Sequence, residues 1–162
     1  MAKTYSRCTK SFFQVEDTVL LFIMNELKVK VSTLLRADTI LRSLLGKSAS
    51  PYGIYFSRPP VTSPPFPLVT FKVIGGSISD AGRDCQTRSM ILQVTAYSAT
   101  NCDAIMEQVE RLLNQVSSFT GMTTCSILNI TLDSVGPDDF DVEFNCYTLT
   151  HRYRVFLIKK DT

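Results

Sequence analysis

The period of the apolar residues changes at residue 98, and that change is the most legible feature of the chain. Between residues 88 and 97, Met90, Leu92, Val94 and Ala96 recur at every second position, which defines one face of a strand. Ile91 adds an apolar group on the reverse side, so the strand is expected to be covered on both faces at its start. Beyond Ser98-Ala99-Thr100-Asn101 the period lengthens. Ile105, Val109, Leu112 and Val116 recur at steps of four, three and four, widened by Ala104, Met106 and Leu113. Glu107, Gln108, Glu110, Arg111 and Asn114 fill the opposite face of this helix. Thr100 or Asn101 is the expected N-cap, and Thr100 with Asp103 fits a capping box with Asp in place of Glu. A cap contributes about 1 kcal/mol, whereas burying one large apolar side chain contributes roughly 1.5–3 kcal/mol. The stripe must therefore hold the helix, and it needs a sheet to lie on.

The same periodicities organise the rest. Residues 14–45 are helical in character, with Val15, Val19, Phe22, Ile23, Glu26 and Leu27 defining one helix and Leu34, Leu35, Ile40, Leu41, Leu44 and Leu45 suggesting a second segment. One continuous helix and two helices are both compatible with this pattern. Val29-Lys30-Val31-Ser32 is a candidate break, Asp38 a candidate cap, and Gly46 the C-terminal stop. Ile54-Tyr55-Phe56 forms a short strand, followed by the prolines 59, 60, 64, 65 and 67, which hold the chain extended. A polyproline ligand for an SH3 or WW partner is the sharper reading of those prolines, and a connector between strands is the commoner one. Residues 68–74 form a strand with Val69, Phe71 and Val73 on one side, ended by Gly75-Gly76. Residues 75–87 are expected to be a long loop. In residues 127–135, Leu128, Ile130 and Leu132 point inward against Asn129, Thr131 and Asp133. A turn at Gly136-Pro137-Asp138-Asp139 leads into a last strand over 144–159. There Tyr147, Leu149, His151, Tyr153, Val155 and Leu157 alternate with Thr148, Thr150, Arg152, Arg154, Phe156 and Ile158, and both faces become apolar toward the end.

This order predicts an α+β fold: a mainly antiparallel four- to five-stranded sheet with a central helix packed on one face and one or more N-terminal helices. The strand–helix–strand unit at its centre reads as a right-handed crossover. Residues 1–13, with Lys3, Arg7, Lys10, Phe12 and Phe13, read as an N-terminal arm, and residues 14–160 as a single domain.

Composition narrows the function classes. At 162 residues the chain buries enough surface to need neither metal nor disulfide for stability. A formal charge of +2 gives no support for a dedicated nucleic-acid binder. The five cysteines, Cys8, Cys85, Cys102, Cys125 and Cys146, are scattered and odd in number, which suits free thiols in a reducing compartment. With one histidine and no C-x-x-C, a zinc site has the wrong spacing. Cys102 and Cys125 read as apolar fillers, and Cys85, near Arg83 and Arg88, is the one thiol with a basic setting. The apolar run from 19 to 24 is too short for a membrane span, and Glu16 and Asp17 interrupt any signal-peptide pattern, so the chain is read as cytosolic and soluble.

Candidate chemistry is sparse. Gly75-Gly76 and Gly82 lack the Lys-Ser/Thr and following helix of a phosphate loop. The acids Asp133, Asp138, Asp139, Asp141 and Glu143 follow their glycine instead of enclosing it, so no EF-hand is present and a solvated acidic docking turn is the better reading. His151 reads as a hydrogen-bonded structural residue, since no nucleophile motif accompanies it. No enzyme activity, cofactor or metal is expected. Tyr97, Tyr147 and Tyr153 with several arginines leave a nucleic-acid-binding α+β module as the alternative function.

Four segments carry a resemblance: YGIYFSRPP with PPFPLVTF, RSMILQVTAYS, NCDAIMEQVERLLNQV, and YTLTHRYRVFLIKK. Within them, Pro65-Phe66-Pro67-Leu68-Val69, Gln93-Val94-Thr95-Ala96-Tyr97 and Thr150-His151-Arg152-Tyr153-Arg154-Val155 hold the positions of recurring family strands. Over about residues 50–160 the chain resembles the tail completion, or tail terminator, proteins of long-tailed bacteriophages. The resemblance implies a structural virion protein of the tail or neck, assembled in the host cytoplasm. It implies a homo-oligomer, a hexameric ring, that caps the tail tube protein and meets a head-completion or connector protein. DNA would pass through the lumen without sequence-specific binding, and no membrane is involved. Candidate oligomer or partner surfaces on this reading are Phe12, Phe13, Ile78, Arg83, Arg88, Asp138, Asp139, Asp141, Arg152 and Arg154.

Overall fold

Two long β-hairpins, laid side by side and joined by a helix, make the core of the fold. The computed structural model describes residues 9–47, 49, 51–59, 66–80, 86–114, 116, 122 and 125–159, with the side chains of 9–20, 76–80, 86–88, 125 and 159 excepted. The described elements run α1 (Thr9–Ala37), α2 (Thr39–Leu44), β1 (Ile54–Phe56), β2 (Leu68–Asp80), β3 (Gln86–Ser98), α3 (Asp103–Asn114), β4 (Cys125–Val135), β5 (Asp139–Asp141) and β6 (Cys146–Lys159). Strand order is β1-β2-β3-β6-β4, with β5 also paired to β6. β1 is parallel to β2, and every other pairing is antiparallel. The fold is thus α+β with a mixed, mostly antiparallel sheet. It has six strands where the sequence pattern led to four or five, because Asp139–Asp141 pairs with β6 instead of lying in a turn.

β2 and β3 form the first hairpin. β4 and β5 follow one another along the same edge of β6 and form the second, closed by the turn at 142–145. β3 and β4 are both antiparallel to β6, so they are parallel to each other with β6 between them. Parallel strands need a crossover, and α3 supplies it. The register sets the hairpin ends apart. Thr87 lies opposite Ile158, whereas Ser98 lies opposite Tyr147, so the first hairpin turns at one end of the sheet and the second at the other.

The helices cover one face. α1 lies over β1 and β2, α3 over β4 and β6, and α2 touches both helices. Met90, Leu92, Val94 and Ala96 of β3, with Leu149, Tyr153, Val155 and Leu157 of β6, form one buried cluster with Ile23, Leu27, Val31 and Leu35 of α1. The alternating face of β6 is therefore as the sequence reads. On the reverse face Lys72, Gln93, Arg152 and Ser134 fall in one row across the strands.

Several local readings change. α1 continues through Val29-Lys30-Val31, because Val31 is buried in the stripe and its burial outweighs the modest helix penalty of β-branched residues. The break falls at Asp38, whose extended backbone (φ −73°, ψ 122°) and side chain cap α2 by accepting the Leu41 N–H at 2.6 Å. Gly46 ends α2 at φ 61°, with Gly46 N–H bonded to the Ser43 carbonyl and Lys47 N–H to that of Arg42, a Schellman closure. Gly75 bends β2 instead of ending it. At φ 138° it sits at an irregularity in the pairing with β3, which leaves Ile74 exposed while the strand continues to Asp80. Only 81–85 remain between the strands of that hairpin.

Leu128 is the extra residue at a bulge in β4 and is exposed, so Ile127 takes the inward place expected of it, while Ile130 is buried and Leu132 packs on the core as expected. The expected capping box at α3 is absent. Cys102 provides the first helical carbonyl, to Met106 N–H, while Asn101 accepts from the Asp103 N–H at 2.8 Å and its own amide donates to Asp103 Oδ2 at 3.0 Å. α3 ends at Asn114. Its buried residues are Ile105, Met106, Gln108, Val109 and Leu113, so Gln108 is inside and Ala104 outside.

Candidate interaction surfaces

The acidic segment rides on the outer edge of β6. Gly136 makes this possible: its N–H bonds the Thr150 carbonyl, and the chain passes β6 closely enough to jog from β4 into β5 without leaving the edge. Asp138 and Asp139 are exposed, and Asp141 is half-buried. Two of the three carboxylates have local work. Asp139 Oδ1 accepts its neighbour Phe140's N–H at 2.8 Å. Asp141 Oδ1 accepts the N–H groups of Glu143 and Phe144 at 2.9 and 3.1 Å and so shapes the turn into β6. Phe140 packs edge-on against Tyr147, ring centres 5.2 Å apart, and both remain exposed with Val142 beside them.

Arg152 projects from the opposite side of the sheet to the helices. It lines an open groove of about 440 Å³ with Gln93, Thr148, Thr150, Asp139 and residues 134–137. Thr95 and Thr150 share a hydrogen bond at 2.9 Å in the same row of strands. Arg154 is exposed and pairs with Asp133 at 2.7 Å. Both members are partly solvated, so the pair contributes at most about 1 kcal/mol.

A second groove, about 430 Å³, lies on the helix side and is lined by Asp103, Met106, Glu107, Glu110, Val135, Gly136, Asp138, Leu149 and His151. His151 is 6% exposed and sits 3.4 Å from the Tyr153 hydroxyl and 3.9 Å from Glu110. Burial holds the imidazole pKa below its ordinary value, and the Glu110 carboxylate only partly offsets that. The same burial pushes the Tyr153 hydroxyl up, reinforced by Glu110. His151 is thus largely uncharged at neutral pH, and the described residues that line its groove bring carboxylates to it. Cys102 is fully buried and donates to the carbonyls of Tyr147 and Ala96 at 3.3 and 3.5 Å. Burial pushes its thiol up to about 11, with Asp138 adding to the shift. Among the described residues no group of three or more His, Cys, Asp or Glu could hold a metal ion, and no helix is long and apolar enough to cross a membrane.

Asp139 lines the reverse-face groove with Arg152, whereas Asp138 lines the helix-side groove and Asp141 pairs with Cys146 at the end of β5. Arg154 lies further along β6. Phe12 and Phe13 are on α1, Ile78 on β2 and Arg88 on β3, with their side chains outside the described residues. Arg83, Cys85 and prolines 60, 64 and 65 also lie outside them. The three tyrosines read as a stacking platform do not share a surface: Tyr153 is buried beneath the helices, Tyr147 packs on Phe140, and Tyr97 stacks on Phe66 across the sheet. The sequence reading missed Phe140 and Val142 as exposed apolar groups. Their alternation with Asp139, Asp141 and Glu143 was the available signal. It also missed Phe22 and Val29, which lie off the stripe of Ile23 and Leu27.

A sheet of two antiparallel hairpins bridged by a helix, with helices on one face, defines the class of fold. No family model and no curated protein matches the sequence. Among solved structures, the fold is similar to a chain in the structure described as the virion of a native gene transfer agent particle. The TM-score is 0.59 at 14% identity, covering 80% of this chain and 92% of that one.

Proposed function

We propose that this chain is a structural protein of a phage-like virion, and more narrowly a tail terminator subunit that closes into a ring on the tail tube and meets the head-side connector. The observation that carries the reading is the fold likeness to a gene transfer agent virion chain, because it spans nearly all of that chain rather than a shared fragment. The resemblance of the strand and helix segments to tail terminators supports the narrower role. The protein in this proposal acts by assembly rather than catalysis. On this reading it belongs to the tail or neck, assembled in the host cytoplasm, with DNA passing through the ring unread. Native mass spectrometry and negative-stain imaging test it. A closed ring with a central channel, six copies around, that binds the end of a tail tube is the expected result. A strict monomer, unchanged by added tail tube protein, overturns it.

A further inference from the structure

We draw no further inference here: the strongest candidate, the groove between α3 and the passage from β4 to β5 that Asp103, Glu107, Glu110 and Asp138 line around His151, is a cluster of acidic residues whose histidine already meets Tyr153 and Glu110, and nothing in the structure shows what occupies it.

Discussion

Asp38 Oδ1 accepts both the backbone N–H of Leu41 at 2.6 Å and the side-chain amide of Gln108 at 3.0 Å, so one carboxylate oxygen starts α2 and ties it to α3 across 70 residues. Gln108 is buried, and its amide has been taken out of water to make this bond. Asp38→Ala should therefore cost about 1 kcal/mol for the lost cap and a further 1–3 kcal/mol or so for the stranded amide. Asp38→Asn keeps an acceptor oxygen and should cost less. Urea unfolding curves measure both. Equal stability of Asp38→Ala and wild type would show that the two helices are held without this link.

A Cβ on Gly136 would sit 2.8 Å from the Thr150 carbonyl oxygen, inside any real contact. The carbonyl is backbone and a Cβ is fixed to its Cα, so neither can swing away. Gly136→Ala is expected to destabilise the protein by about 1–3 kcal/mol, in the range of other overpacking changes. The damage should centre on the jog between β4 and β5. Hydrogen exchange should speed up at residues 139–148 and stay unchanged in the β2–β3 pairing. Uniform loss of protection would argue against a local role.

His151 gives the protein a pH-dependent stability with a defined sign. Its pKa is lowered in the fold by burial, from an ordinary value of 6.5. Between the folded and unfolded values the unfolded chain binds more protons, so stability falls as pH drops. The contribution is complete above about pH 6.5 and is lost as pH falls through that value toward the folded pKa. His151→Gln removes it. The stability difference between wild type and variant should shrink from pH 7.5 to pH 5.5, and this is the chain's single histidine. A constant difference over that range would refute the assignment.

Cys102 should be unreactive while the protein is folded. With its thiol at about 11, only about one molecule in a thousand carries the thiolate at pH 8. Alkylation followed by peptide mass spectrometry should find Cys102 unmodified under native conditions and fully modified in urea. Fast native labelling at Cys102 would contradict the buried, doubly bonded thiol.

The alternation in β3 and β6 and the apolar spacing of α1 and α3 were readable directly, because period two and period 3.6 follow from backbone geometry alone. Gly46 as a stop and Asp38 as a cap were readable for the same local reason. The misreadings share one cause. Gly75, Leu128 and Val29-Lys30-Val31 each look like a boundary or a phase by local preference, and each is decided by what lies opposite it: β3 for Gly75, β6 for Leu128, the sheet for Val31.

The sequence by itself determined where the main helices and strands lie and which side of α3, β3 and β6 is apolar. It also determined that the acids cluster between 133 and 143. It did not determine that these acids form a strand on the edge of β6, because strand pairing depends on a partner several residues or a whole element away. Nor did it show that β1 and the β5–β6 hairpin stand at opposite ends of one sheet. That separation comes from α3 carrying the chain from β3 over to β4 with β6 between them, and only the tertiary structure decides it.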